Sequence, residues 1–146
     1  MKIGDTTIEI VKKYQYLGTT LNEENDQVRI DIARSAFIKM KHLLVNKSLN
    51  KDLRVRIIRC YIFSILLYGA EARTLKQVNI KKNNAFELWM YRRMLKIPWT
   101  DEVTNETVLQ RLGKEEEVVY HTQKRKLEYL GHIMRGPRYE ILRLIM

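Results

Sequence analysis

Apolar positions return at helical spacing from Asn25 to about Val45. At about 100° per residue, Ile32, Ala33, Ala36, Phe37, Met40, Leu43 and Leu44 fall on one side. Asp31, Arg34, Lys41 and His42 fall on the other. Asn46-Lys47-Ser48 breaks the pattern, and Asn50 is a good N-cap for the next helix, because its carboxamide oxygen can accept from a free first-turn N–H. That helix runs from Lys51 to about Tyr68. Its start is basic (Lys51, Arg54, Arg56, Arg59), and its nearly all-apolar second half, Ile57 to Tyr68, predicts a buried central helix. A third helix spans about Gln77 to Ile97 and stops before Pro98. Thr104 or Asn105 opens a short helix that Gly113 ends. The last long helix covers about Lys114 to Arg135, closed by Gly136-Pro137, and Tyr139–Met146 could begin another. Glu115-Glu116-Glu117 are expected in its first turn, where carboxylates complement the helix dipole.

Residues 2–21 have a different period. Ile3, Thr7/Ile8/Ile10 and Tyr14/Tyr16/Leu17 alternate in the strand manner, which predicts two short strands with a turn at Gly4-Asp5 or Lys12-Lys13. A two-stranded ribbon is marginal alone and must lean on the helices or on further strands. The fold class expected is mainly α: a small bundle of four to five helices with a short N-terminal β-ribbon. The expected division is 1–22 for the ribbon, 23–113 for the bundle and 114–146 for a long basic helix and the start of a linker, all within one compact domain. No internal repeat is visible.

Composition narrows the function. With 146 residues, 45% hydrophobic, and only two Pro and six Gly, the chain can build a core and carries no low-complexity linker. The single Cys60 excludes an internal disulfide and a Cys-cluster zinc site, and its setting among Ile57, Ile58, Tyr61, Ile62 and Phe63 predicts a small core hydrophobe. No signal peptide opens the chain, and the most apolar run, Tyr61 to Ala70, is about half the length a membrane span needs. The expectation is an intracellular protein, nuclear or cytoplasmic, not secreted and without a membrane partner. Net charge is +10, and it is uneven: residues 50–98 hold eleven Lys and Arg against three carboxylates. Basicity confined to one region suggests a directed patch for an anionic partner. The bland alternative is a solvated lysine-rich surface.

The helix 77–97 carries that charge on one stripe. Lys81, Lys82, Ala85, Trp89, Arg92, Arg93 and Lys96 fall within roughly 120° of arc, while Phe86, Leu88, Met90, Tyr91, Met94, Leu95 and Ile97 fill the rest as a core face. Five cations interleaved with an indole can bind phosphates and stack on sugar or base. For Trp89 alone the better reading is a cap on the core edge. A weaker stripe on the last helix holds His121, Lys124, Arg125, His132 and Arg135, diluted by Glu128, opposite Val119, Leu127, Leu130 and Met134.

Catalysis is tested by absence. Nucleotidyl transfer by two metal ions needs clustered carboxylates holding them about 4 Å apart. Asp5, Asp26, Asp31, Asp52 and Asp101 include no Asp-Asp pair on a strand turn. His42, His121 and His132 form no His-x-x-x-His pair, and Ser35, Ser48 and Ser64 lie in no Gly-x-Ser-x-Gly elbow. The expectation is no catalytic residue, no metal ligand and no cofactor in this chain.

The stretch Trp89-Met90-Tyr91-Arg92-Arg93-Met94-Leu95-Lys96-Ile97-Pro98-Trp99-Thr100-Asp101, continuing through Val103-Thr104-Asn105-Glu106 to Leu109, resembles a segment downstream of the polymerase core in non-long-terminal-repeat retrotransposon reverse transcriptases. Tyr16-Leu17-Gly18, Lys47-Ser48-Leu49-Asn50 to Arg54, Leu67-Tyr68-Gly69-Ala70-Glu71 and Tyr129-Leu130-Gly131-His132-Ile133-Met134-Arg135-Gly136-Pro137 resemble four other blocks of that family, in the family's order. The chain departs from the pattern at Ala70, Ala72 and Arg73, where Cys, Thr and Trp are usual. The aromatic-x-Asp-Asp signature of the polymerase site is missing.

The resemblance implies a primer-grip-like ribbon, a thumb-like bundle and the start of the linker beyond it. Such a piece would clamp template–primer nucleic acid (RNA, DNA or a hybrid) through its backbone while a separate polymerase palm, which would hold the Mg2+, does the chemistry. Lys12, Lys13, Tyr16 and Gly18 would lie near the primer end. Arg54, Lys81, Lys82, Trp89, Arg92, Arg93, Lys96, Lys124 and Arg125 would contact the nucleic acid. The alternatives are a free-standing domesticated helical nucleic-acid-binding protein, or a relic reading frame or protein-interaction scaffold without selected function. The sequence Ala70-Glu71-Ala72-Arg73 and the abrupt ends at Met1 and Met146 favour the relic.

Overall fold

A computed structural model describes residues 25–135 and four short strand segments ahead of them. Strands β1 (Lys2–Ile3) and β2 (Thr6–Thr7) pair antiparallel, with Lys2 opposite Thr7; β3 (Tyr14–Tyr16) and β4 (Thr19–Leu21) pair likewise, with Tyr16 opposite Thr19. The expected turn positions Gly4-Asp5 and Lys12-Lys13, the closing Gly136-Pro137 and the segment Tyr139–Met146 lie outside the described residues.

The rest is helical and forms a small bundle. Helix α1 covers Asn25–Lys39 and α2 Lys41–Leu44, so the first predicted helix is broken at Met40, whose φ of −94° and ψ of 4° leave the helical region. Helix α3 (Lys51–Ile57) begins where Asn50 Oδ1 accepts from Asp52 N at 3.2 Å. It continues through a π-helical stretch, Ile58–Phe63, into α4 (Ser64–Leu66). Helix α5 is Gln77–Leu95. Helix α6 (Asn105–Leu112) starts at Thr104, whose hydroxyl accepts from Thr107 N, and stops at Gly113 with φ of 60°, a left-handed turn that favours glycine. Helix α7 is Val118–Arg135.

The core gathers around α5, which touches α1, α6 and α7. Phe86, Met90, Tyr91 and Met94 of α5 meet Ala33 and Phe37 of α1, Ile58 and Ile62 of the π-helical stretch, and Val108 and Val118. Each large apolar side chain of that set contributes roughly 1.5–3 kcal/mol by leaving water.

The structure corrects several expectations about faces. On α1 the buried positions are Asp26, Ile30, Ala33 and Phe37, with Ala36 partly buried against the core; Ile32, which the wheel put on the same side, is exposed. The segment 51–68 is half-covered, not surrounded: Ile58, Ile62, Phe63 and Leu66 are buried while Tyr61 and Tyr68 are exposed. Cys60 points away from that buried face and is exposed, so it is not a core residue. Residues Glu115–Glu117 precede α7 instead of forming its first turn. The expected core face of α7 is also rotated: Leu127, Leu130 and Met134 are exposed, Val119 is half-buried, and Val118, Thr122 and Ile133 are the buried positions.

Cations contact carbonyls on the side that docks. The last carbonyls of a helix have no partner inside it. Arg125 Nη1 donates to Leu67 O at 3.0 Å, and Lys126 Nζ donates to Glu71 O at 3.2 Å and to Arg73 O. The side of α7 that docks is the one that can satisfy the carbonyls beyond α4. Lys51 Nζ does the same for Arg111 O at the end of α6, at 3.1 Å. Arg73, standing where the resemblance expects Trp, pairs with Asp26 and donates to Leu66 O at 2.7 Å. Burial lowers the Arg73 pKa, and the Asp26 carboxylate opposes that shift.

Candidate nucleic-acid interface

The cations of the middle third divide into two groups. Arg54 is 6% exposed and donates to Met94 O at 3.1 Å and Leu44 O at 3.4 Å, tying the ends of α5 and α2 together. The exposed nucleic-acid contact expected of it is not what this position offers: the side chain is buried and its Nη1 is turned to carbonyls of the bundle. Arg92 is half-buried, and its Nη2 donates to Val103 O and to Asn105 Oδ1 (3.0 Å), which holds the segment between α5 and α6 against the helix. Arg92 thus has a structural role on the stripe that sequence alone did not reveal.

Lys81, Lys82 and Arg93 are exposed along α5, as the wheel predicted. Lys96 is exposed too, but it is not on the helix. It is the left-handed cap after Leu95, with φ of 58°. Its N–H bonds Arg93 O at 3.2 Å, and the N–H of Ile97 bonds Arg92 O at 3.0 Å, which closes the helix end. The backbone turns there; Ile97 still packs against the core, while Pro98 and Trp99 are exposed.

Trp89 is a half-buried lid on the core. Its ring lies 5.2 Å from Phe37 and 5.6 Å, nearly parallel, from Phe86. The guanidinium of Arg93 sits 4.6 Å over the indole and that of Arg34 5.3 Å. Each such cation–π contact is worth about 0.5–1 kcal/mol at an exposed site. With both guanidiniums and two phenyl rings around it, the indole positions charge at the surface, and its remaining exposed part lines the groove beside α5.

Between α2, the second half of α5 and the Lys96–Trp99 turn runs an open groove of about 870 Å³. Leu88, Val45, Ala85 and Ile97 make its apolar floor, and Lys41, Arg92, Arg93 and Lys96 are its charged lining, with no carboxylate among them. A smaller hollow of about 380 Å³, lined by Lys41, His42, Val45, Asn46 and Lys96, shares part of this wall. Trp99 stands at the edge with 92% of its surface in water. Lys41, His42 and Trp99 were not among the predicted site residues. Lys41 and His42 were legible only as the polar side of a helix; Trp99 had a stronger signal, an indole directly after a proline at the end of a basic helix.

Of the remaining predicted residues, Lys124 and Arg125 do not line this groove. Lys124 is exposed on α7, 4.0 Å from Glu128, and Arg125 is engaged with Leu67 O. Tyr16 lies in β3, and Lys12, Lys13 and Gly18 lie outside the described residues. Among the described residues no group of three His, Cys, Asp or Glu could hold a metal ion, and no helix is long and apolar enough to cross a membrane. No protein family, curated protein or solved structure matches this chain.

Proposed function

We propose that this chain is a binding piece of the kind found after the palm in a retrotransposon reverse transcriptase, holding template–primer nucleic acid by its backbone without catalysing its extension. The observation that supports this reading is the groove beside α5: Lys41, Arg93 and Lys96 line an open channel with an apolar floor and no acidic residue in its walls. Lys81 and Lys82 extend the positive edge along α5; from Lys82 to the helix end is ~20 Å at 1.5 Å per residue. A charged row of that length suits successive phosphates and carries no base information. In this reading the N-terminal strands form a ribbon toward the primer end, and the metal ions belong to a palm supplied separately.

The test is the salt dependence of binding to a duplex. Each phosphate neutralised contributes about −0.9 to the slope of log affinity against log salt. Replacing Arg93 and Lys96 by Gln flattens the slope by about two units and weakens all sequences alike. A folded double variant with the wild-type slope would overturn the reading. The purified chain should also incorporate no dNTP with magnesium or manganese; incorporation that tracks with the protein peak would contradict a non-catalytic role.

A second reading, a protein-interaction scaffold, is favoured by the exposed apolar face of α7, where Tyr120, Leu127, Leu130 and Met134 face water. Its test is whether Leu127→Glu and Met134→Glu abolish any self-association seen by sedimentation.

A further inference from the structure

We propose that Trp99 is a stacking platform for one unpaired nucleobase, so that the groove holds a single strand by its phosphates while a base lies on the indole. The inference rests on the nucleic-acid reading of the groove and goes beyond it by naming the form of the ligand.

The backbone that carries the indole is well defined, while the ring itself stands in water. Pro98, with φ of −69°, stiffens the approach, and Trp99–Asp101 form one 3-10 turn. Lys96 and Glu102 on either side are left-handed, with φ of 58° and 48°, so the turn is sharply defined at both ends. Arg92 ties the far side of the turn down through Val103 O and Asn105 Oδ1. With 92% of its surface in water, Trp99 does nothing for the core. Trp89, by contrast, is half-buried and packed by Phe86, Phe37 and two guanidiniums. Both indoles line the groove, and Trp99 is the one whose ring is almost wholly exposed beside its cations.

Physical chemistry then selects the ligand. Lys41, Arg93 and Lys96 call for a polyanion, and a flat exposed indole calls for a π-face next to it. A base-paired duplex presents phosphates but keeps its base faces stacked on one another. An unpaired strand presents both, and every base has a π-face, so the platform is tolerant of sequence.

The experiment compares a twelve-residue oligothymidylate with an abasic strand of the same length and charge, both labelled and read by fluorescence anisotropy at several salt concentrations. The wild-type chain is expected to bind the base-bearing strand roughly 5- to 100-fold more tightly, the range of one base–aromatic stack. Trp99→Ala should erase that preference and leave the salt slope unchanged; Trp99→Phe should restore part of it. Because Trp99 packs against little else, the Ala variant should keep its helical circular dichroism. Equal affinity for the two strands in the wild type, or a preference that survives Trp99→Ala, would overturn the platform while leaving the cationic groove standing. No binding to any strand or duplex would overturn the groove reading itself. Equally tight binding of poly-glutamate would assign the groove to an acidic protein segment and overturn both.

Discussion

Glu87 Oε2 accepts the Val118 N–H at 3.0 Å, so a carboxylate in the middle of α5 caps the start of α7. The same carboxylate accepts Glu117 N at 2.9 Å and the Tyr91 hydroxyl at 3.1 Å, and it is fully buried. Burial raises the Glu87 pKa above its ordinary 4.5, although the backbone and Tyr91 bonds pull it down. Burial, reinforced by the Glu87 charge, also raises the Tyr91 phenol. Helical periodicity put Glu87 in neither stripe of α5, because a capping partner 31 residues away has no local signature.

Glu87→Ala should lower stability by about 3 kcal/mol, because it leaves three donors without their acceptor. The sign of the pH dependence comes from the raised pKa. The folded chain keeps the Glu87 proton to higher pH than the unfolded chain. Its contribution is therefore fully present below 4.5 and lost as pH rises through the raised folded value. Urea unfolding from pH 4 upward should show that loss as the difference between wild type and variant. A difference that grows in the opposite direction would contradict the assignment.

Asp26 and Arg73 form an ion pair with only 11% and 10% of their side chains exposed. Removing one partner of such a pair leaves a charge stranded, at a cost of about 3–5 kcal/mol, whereas replacing both can be nearly neutral. Arg73→Met should therefore destabilise far more than Asp26→Leu with Arg73→Met combined. Additive losses in the double-mutant cycle would show that the pair does not act as a unit.

Arg92→Gln should cost about 1–3 kcal/mol, because the guanidinium holds Val103 O and Asn105 Oδ1. Arg93→Gln should cost less, about 0.5–1 kcal/mol, the worth of its cation–π contact with Trp89. Thermal unfolding of the two single variants measures this directly. Equal melting temperatures would remove the structural role assigned to Arg92.

Cys60 should react with a thiol reagent in plain buffer, without denaturant, because its side chain is exposed beside Arg59 and Ser64. Protection until unfolding would restore the core position that the apolar neighbourhood suggested.

Local chemistry determined where the helices run. Asn50, Thr104 and Gly113 are caps whose bonds close within a few residues, so they were legible in the sequence, as was the apolar face of α5 around Phe86, Met90 and Met94. The exposed cations Lys81, Lys82 and Arg93 came from the same periodicity. Tertiary structure alone decided what each cation does. Arg54, Arg92, Arg125 and Lys126 were drawn to backbone carbonyls at the ends of other elements, and only the folded chain brings those carbonyls near. The packing of α7 left its apolar side at Leu127, Leu130 and Met134 in water, and the half-covered packing of residues 51–68 left Cys60 outside. Periodicity sorts residues onto faces, but which face is covered depends on packing partners far away in the chain.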